Sequence, residues 1–164
     1  MPLIYVLELR SGKYYVGTTT DVDRRYEEHA SGKGSIWTRQ YKPLSILETR
    51  RANSIFDEEN VTKEYMMKYG IENVRGGPFC GMSILPAQMI GIERSIWSAT
   101  CGCLRCGRKT HRASECKEKD TVSGRKLEVK DRPRTPAADS KGVSCWYFVI
   151  MVYLLLMIVY TLAG

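Results

Sequence analysis

The chain opens on a nearly unbroken apolar run, Leu3 to Leu9, and resumes with the aromatic and β-branched Tyr14 to Gly17. Ser11-Gly12 lies between them as a turn signal, so the pattern predicts two short strands joined tightly. Side chains alternate across a sheet, so Tyr5, Leu7 and Leu9 share one face. A three-residue loop, Ser11 to Lys13 with Gly12 left-handed, sets Leu9 opposite Tyr15 and brings Tyr5 and Tyr15 to that same face; an even loop separates them. The odd loop is the expectation. Next, Val22, Arg25, Tyr26 and His29 recur at helical spacing, with Thr20 and Asp23 as a start signal and Ser31-Gly32 as a stop. Arg25 and His29 then border the stripe that packs on the sheet, while Arg24, Glu27 and Glu28 face solvent.

Ser31 to Lys42 reads as a polar loop in which Trp37 caps the core. Leu44 to Glu48 is a third strand after Pro43. Ser54 and Asp57 start a second helix that Gly70 closes, with Glu58, Val61, Thr62, Tyr65 and Tyr69 on one side. Ile71 to Gly77 closes this unit with a turn. In Pro86 to Trp97 the stripe Leu85, Met89, Ile92 and Ile96 predicts a helix with Pro86 at its first position. The fold class is α+β: a small domain over 1–85 with an antiparallel three-stranded sheet flanked by helices, then a connecting helix over 86–98.

Beyond this the periodicity changes. Lys117 to Gly142 mixes charges of both signs with prolines and shows neither period, which predicts a disordered linker over 118–142. From Ser144 to Gly164 no charge occurs, and 143–164 is long enough to cross a bilayer as a helix, with Trp146, Tyr147 and Tyr160 at its interfaces. Lys141 and the basic linker place the N-terminal part on the cytoplasmic side of a single-pass C-terminal anchor. The competing readings are a hydrophobic helix buried by a partner and a C-terminus from an altered reading frame; without insertion the protein is cytoplasmic or nuclear and soluble.

Charge adds a partner class. The net charge of +7 and pI near 9.1 fit nucleic acid or an anionic membrane surface. The excess is uneven: residues 1–85 carry 12 Lys+Arg against 11 Asp+Glu, and residues 86–116 carry 5 against 2. A grip on phosphates is therefore partly delegated downstream. Six cysteines follow no signal peptide, which points to metal ligation rather than disulfides.

Four of the metal-binding positions stand out. Cys103, Cys106, His111 and Cys116 follow a CX2CX4HX4C spacing, which suits four donors converging on one tetrahedral zinc ion over 101–117. A segment this short has almost no core, so metal binding supplies its folding free energy. Cys101 lies just outside the pattern, Cys80 reads as a small buried apolar residue and Cys145 as a membrane-border residue. Arg105, Arg108, Lys109 and Arg112 crowd the ligands and suit a phosphate-facing role. No aromatic flanks His111, so backbone electrostatics outweigh base stacking.

Leu3-Ile4-Tyr5 and Tyr15-Val16-Gly17, followed by Arg25 and His29, resemble the two signature motifs and helix pattern of the GIY-YIG nuclease family. The leading glycine and the middle isoleucine of its motifs are replaced here. The resemblance spans residues 3 to 79, and its ending, IENVRGG, is similar to a branch in which a zinc module follows directly. It implies a metal-dependent endonuclease that hydrolyses DNA phosphodiester bonds. In that reading Glu58, with Glu59 as fallback, binds Mg2+ or Mn2+, and Arg25 neutralises charge on the phosphoryl oxygens. Tyr5 helps activate the attacking water, which requires a depressed pKa, while Tyr15 and His29 hold the network. The implied partner is nucleic acid, DNA in preference to RNA, with no small-molecule substrate. The rival class is a non-catalytic, membrane-tethered nucleic-acid adaptor.

Overall fold

The computed structural model describes residues 1–128. It is an α+β arrangement around a four-stranded mixed sheet of order β3-β1-β2-β4. Strands β1 (Leu3–Leu9), β2 (Lys13–Thr19) and β3 (Pro43–Arg51) are antiparallel, and β4 (Val74–Gly76) adds parallel to β2.

The hairpin loop has three residues, but they are Arg10 to Gly12 rather than Ser11 to Lys13. Ser11 shares the left-handed conformation with Gly12 (φ 62° and 65°), so the chain has already reversed at Lys13, which pairs with Leu9. Leu7 therefore lies opposite Tyr15 and Tyr5 opposite Gly17. The loop stays odd, so Tyr5 and Tyr15 still share a face.

Each face of the sheet has its own core. Ile4, Val6 and Val16 pack with Val61, Tyr65 and Met66 of helix α3 (Asp57–Tyr69) and Ile92 of helix α4 (Pro86–Ala99). On the opposite face Tyr5, Leu7, Leu9 and Tyr15 pack with Trp37, and Val22 and Tyr26 of helix α1 (Val22–Ala30) join them. Asp21 rather than Thr20 caps α1, its carboxylate accepting from the Arg24 N–H at 3.0 Å. The polar loop contains a short helix, α2 (Ile36–Gln40), which buries Trp37 with its indole N–H on the Tyr14 carbonyl at 3.1 Å. Gly70 (φ 93°) ends α3.

Strand β4 has no counterpart among the elements that periodicity predicts. It is three residues long and centred on a charged side chain, Arg75, which is 1% exposed. The guanidinium is satisfied by the carbonyls of Ile71, Val74, Gly81 and Met82 and lies 4.3 Å from the Trp37 ring centroid. Such a burial needs all of these partners at once, which no local pattern reveals.

In α4, Pro86 occupies the first position, and Ile92, Glu93 and Trp97 are buried, whereas Leu85 lies outside the packed stripe and is exposed. The segment after the cysteines departs from the expected absence of structure. The Val122 N–H bonds the Cys106 carbonyl at 2.8 Å, the Leu127 N–H bonds Lys119 at 2.9 Å, and Thr121 is buried. Glu93 accepts from Arg125 at 3.2 Å and from Ser123, tying this segment to α4. Its order comes from these distant partners, not from a period of its own. The apolar run expected at 143–164 lies outside the described residues, as does most of the expected linker. Among the described residues, no helix is long and apolar enough to cross a membrane.

Candidate active site and metal centre

Gly17 makes room for the first site residue. A Cβ there would stand 2.6 Å from Cζ of Tyr5, so only glycine lets the Tyr5 ring cross β2 and carry its hydroxyl to α1. The hydroxyl lies 2.8 Å from Nε2 of His29 and accepts from Nε of Arg25 at 3.3 Å. His29 is fully buried, and a Cβ on Gly34 would stand 2.7 Å from its Cγ. Tyr15 flanks the pair, with ring centroids 6.3 Å from Tyr5 and 4.9 Å from His29.

The hydrogen-bond inventory orients this chain. The Thr38 hydroxyl donates to the Ser35 carbonyl at 3.0 Å, so it accepts from Nδ1 of His29 at 2.7 Å. A neutral imidazole protonated on Nδ1 leaves Nε2 as the acceptor for the Tyr5 hydroxyl. Tyr5 thus donates to His29 and accepts from Arg25, whose Nη1 is held by Glu28 at 2.6 Å. Glu28, expected to be solvated, is half-buried and also pairs with Arg24.

Burial dominates the protonation states. It pushes the phenols of Tyr5 and Tyr15 above their ordinary value, and the Arg25 charge only partly offsets it. Of the two sources expected to depress the Tyr5 pKa, a nearby metal or Arg25, Arg25 alone does not suffice, because a phenolate 1% exposed loses more hydration than one cation restores. Burial, aided by Arg25, lowers His29 to about 4. The Glu28 hydrogen bond holds Arg25 protonated.

Glu58 stands in the first turn of α3. Asp57 fixes that turn by accepting from the N–H groups of Asn53 and Ser54 at 2.8 and 2.9 Å. Glu58 then accepts from the Thr18 hydroxyl at 2.6 Å and the Gly77 N–H at 2.9 Å, and its charge acts on both Tyr5 and Tyr15. Glu59 turns instead to Lys63 at 2.7 Å. A cleft of about 410 Å3 runs past Thr18, Asn53, Ser54, Ile55 and Glu58. A carboxylate with one hydrogen bond on each oxygen keeps lone pairs free, and one such ligand suits a hard divalent ion that retains much of its own water.

Hydrogen bonds thus join Tyr5, Arg25 and His29 with Tyr15 beside them, and Glu58 stands close enough for its charge to act on both tyrosines. Sequence reading missed Thr18, Gly34, Thr38 and Gly77, which position them. Gly77 was legible only as a turn, and neither threonine carried a signal. Cys80 is exposed rather than buried, its thiol donating to the Gly77 carbonyl at 2.8 Å.

Residues 1–64 match the GIY-YIG catalytic domain. A UPF0213 protein of Halalkalibacterium halodurans is 39% identical over 83 residues, covering 46% of this chain and 86% of the relative. One from Halobacterium salinarum is 40% identical over 65 residues, covering 40% of this chain and 82% of its own. The chain belongs to the GIY-YIG family. No solved structure matches it. Membership places the protein in the GIY-YIG nuclease superfamily and accounts for the hairpin and first helix.

Downstream of the GIY-YIG match, the ligand atoms of Cys103, Cys106, His111 and Cys116 all lie within 4.8 Å of one another. A tight turn brings the first two together, with the Gly107 N–H on the Cys103 carbonyl at 2.7 Å. Gly107 takes φ 84° and packs under Trp97 of α4. At Cys116 burial opposes the thiolate, but hydrogen bonds from His111, the Glu118 backbone and Arg105 prevail and bring it to about 6. Three thiols and an imidazole are the donor set of a structural zinc site. Cys101 is exposed outside the cluster.

The basic residues here divide. Arg105 is 9% exposed and donates to the carbonyls of Cys116 and Glu118, both at 3.0 Å. Arg108 pairs with Glu118 at 3.2 Å and Asp120 at 2.9 Å. Both face inward rather than toward a phosphate, while Lys109 and Arg112 stay exposed.

Proposed function

We propose that this GIY-YIG protein is a metal-dependent endonuclease that hydrolyses DNA phosphodiester bonds, with the Cys/His segment binding zinc and aiding the grip on nucleic acid. The observation that supports the reading is the hydrogen-bonded Arg25–Tyr5–His29 chain with the Glu58 carboxylate close enough for its charge to act on Tyr5.

GIY-YIG nucleases typically use divalent metals, and Glu58 would hold Mg2+ or Mn2+, which polarises a phosphate and stabilises a leaving oxygen. Arg25 is pre-oriented by Glu28 and Tyr5, so it meets charge on the phosphoryl oxygens without first losing side-chain freedom. Tyr5 keeps its proton at neutral pH, directed at Nε2 of His29, and its oxygen, accepting from Arg25, orients that guanidinium at the site. His29, itself out of reach of substrate, fixes that direction through Thr38. Tyr15 walls the pocket and limits its water.

The test is cleavage of DNA by the zinc-loaded chain with Mg2+ or Mn2+, beside Glu58→Ala. Wild-type cleavage with loss to background in the variant, at unchanged melting temperature, is expected. A variant as active as wild type refutes the assignment. An adaptor reading is favoured by the replacement of the leading motif glycine by Leu3, and the same assay separates it, since an adaptor binds DNA without cutting.

A further inference from the structure

Residues 117–120 read Lys-Glu-Lys-Asp, a neutral mixture that by sequence suits a solvated linker. The fold separates those charges. Arg108 takes both carboxylates, Glu118 and Asp120. Lys117 and Lys119 are left exposed, and the reversal of the chain brings Lys126 alongside them through the antiparallel bridge between Asp120 and Lys126. Among the described residues, none of these three lysines forms an ion pair.

The three lysines line one cleft of about 710 Å3, together with Arg105, Cys116 and the two carboxylates, Glu118 and Asp120, that Arg108 engages. Arg105 is more than nine-tenths buried there, and its Nε is a buried donor without a partner. With both carboxylates of the cleft engaged by Arg108, its three exposed lysines are left without counter-ions and give it the chemistry of an anion site, while Arg105 braces the wall from within. Its shape depends on the metal cluster, because Arg105 stands between Cys103 and Cys106 and reaches the Cys116 and Glu118 carbonyls.

We infer that this cleft, rather than the exposed Lys109 and Arg112 beside His111, is the seat of a nucleic-acid backbone phosphate run on the second module. The inference rests on the nucleic-acid reading above and assigns the downstream grip to Lys117, Lys119 and Lys126. Three lysines each neutralising one phosphate contribute about 0.9 apiece to the slope of log affinity against log salt on duplex DNA.

The experiment measures anisotropy of a fluorescein-labelled DNA duplex with the zinc-loaded full chain over a salt series, without added Mg2+ or Mn2+. For the triple reversal Lys117→Glu, Lys119→Glu, Lys126→Glu, the expected result is about tenfold or greater loss of affinity at low salt and a slope shallower by about 2 to 3. Zinc content is expected to stay at wild-type level; should it fall, the Lys→Gln triple variant takes its place, with the slope as readout. The pair Lys109→Glu, Arg112→Glu is expected to change affinity less than the triple variant. The proposal is overturned if the triple variant keeps the wild-type slope, or if the pair loses as much. It is also overturned if the triple variant loses binding to anionic phospholipid vesicles while its DNA affinity is unchanged. Binding that follows the lysines in a chain that never cleaves DNA would refute the nuclease reading and leave this site standing.

Discussion

The sheet-built site and the Cys/His cluster solve the same problem by opposite means. The first gathers side chains from positions 5, 15, 25, 29 and 58, carried on four separate elements. The second takes all four of its donors from 103 to 116. In the sheet, register brings the residues together, and two packed cores hold the register. In the cluster, loop spacing brings them together and little apolar packing supports them, so a bound ion must do so. Distance along the chain therefore decides what each site depends on: the first fails with its core, the second with its ligand.

Metal removal is the largest way to break that comparison. Chelation removes about 10 kcal/mol or more of binding free energy from a structural zinc site. Hydrogen exchange is expected to lose protection at the Cys103, Gly107 and Val122 amides, whose bonds surround the cluster. Amides of Val6 and Val16 in the sheet are expected to keep theirs. Equal loss in both places would mean that the two regions fold as one unit.

Acid sharpens the comparison from the other side. His29 is lowered from 6.5 to about 4 in the fold, so between these values the unfolded chain binds a proton that the native state refuses. Stability of the sheet region should therefore fall as pH drops from 6.5 to 4, by about 3 kcal/mol in total. Urea melts across that range read it, and His29→Gln should flatten the dependence. An unchanged pH profile in that variant would show that other groups carry it.

A smaller effect concerns one missing methyl group. Gly17→Ala sets a Cβ against the Tyr5 ring and should cost about 1–3 kcal/mol by overpacking. At Gly91, where a Cβ meets nothing within 4 Å, alanine should instead be neutral or stabilising by a few tenths of a kcal/mol up to about 1 kcal/mol. Thermal melts of the two variants give the contrast, and equal melting points would refute the close packing of Tyr5 on β2.

Much of the GIY-YIG part was legible because its elements are short and locally signalled. The odd hairpin loop follows from Ser11-Gly12, although its placement one residue earlier depended on Ser11 accepting a left-handed conformation. The family spacing put Glu58 first and Glu59 as fallback; in the fold Glu58 turns to Thr18 and the Gly77 N–H, and Glu59 to Lys63. Arg75 and strand β4 escaped because a buried guanidinium is explained only by carbonyls on both sides of it, at Ile71 and at Gly81 and Met82. Arg105 and Arg108 looked like phosphate contacts for the complementary reason, since their acceptors lie on a segment without periodicity.

The amino-acid order by itself determined the strand and helix alternation, the shared face of Tyr5 and Tyr15, and the four ligands from Cys103 to Cys116. Each follows from spacing within a few residues, where backbone geometry leaves few choices. Only the tertiary structure decided the protonation of Tyr5 and His29, the different partners of Glu58 and Glu59, and the sorting of Lys117, Lys119 and Lys126 away from their acidic neighbours. Burial and charge pairing are set by residues remote in the chain, and electrostatic energies in a folded protein depend on those distances rather than on sequence neighbours.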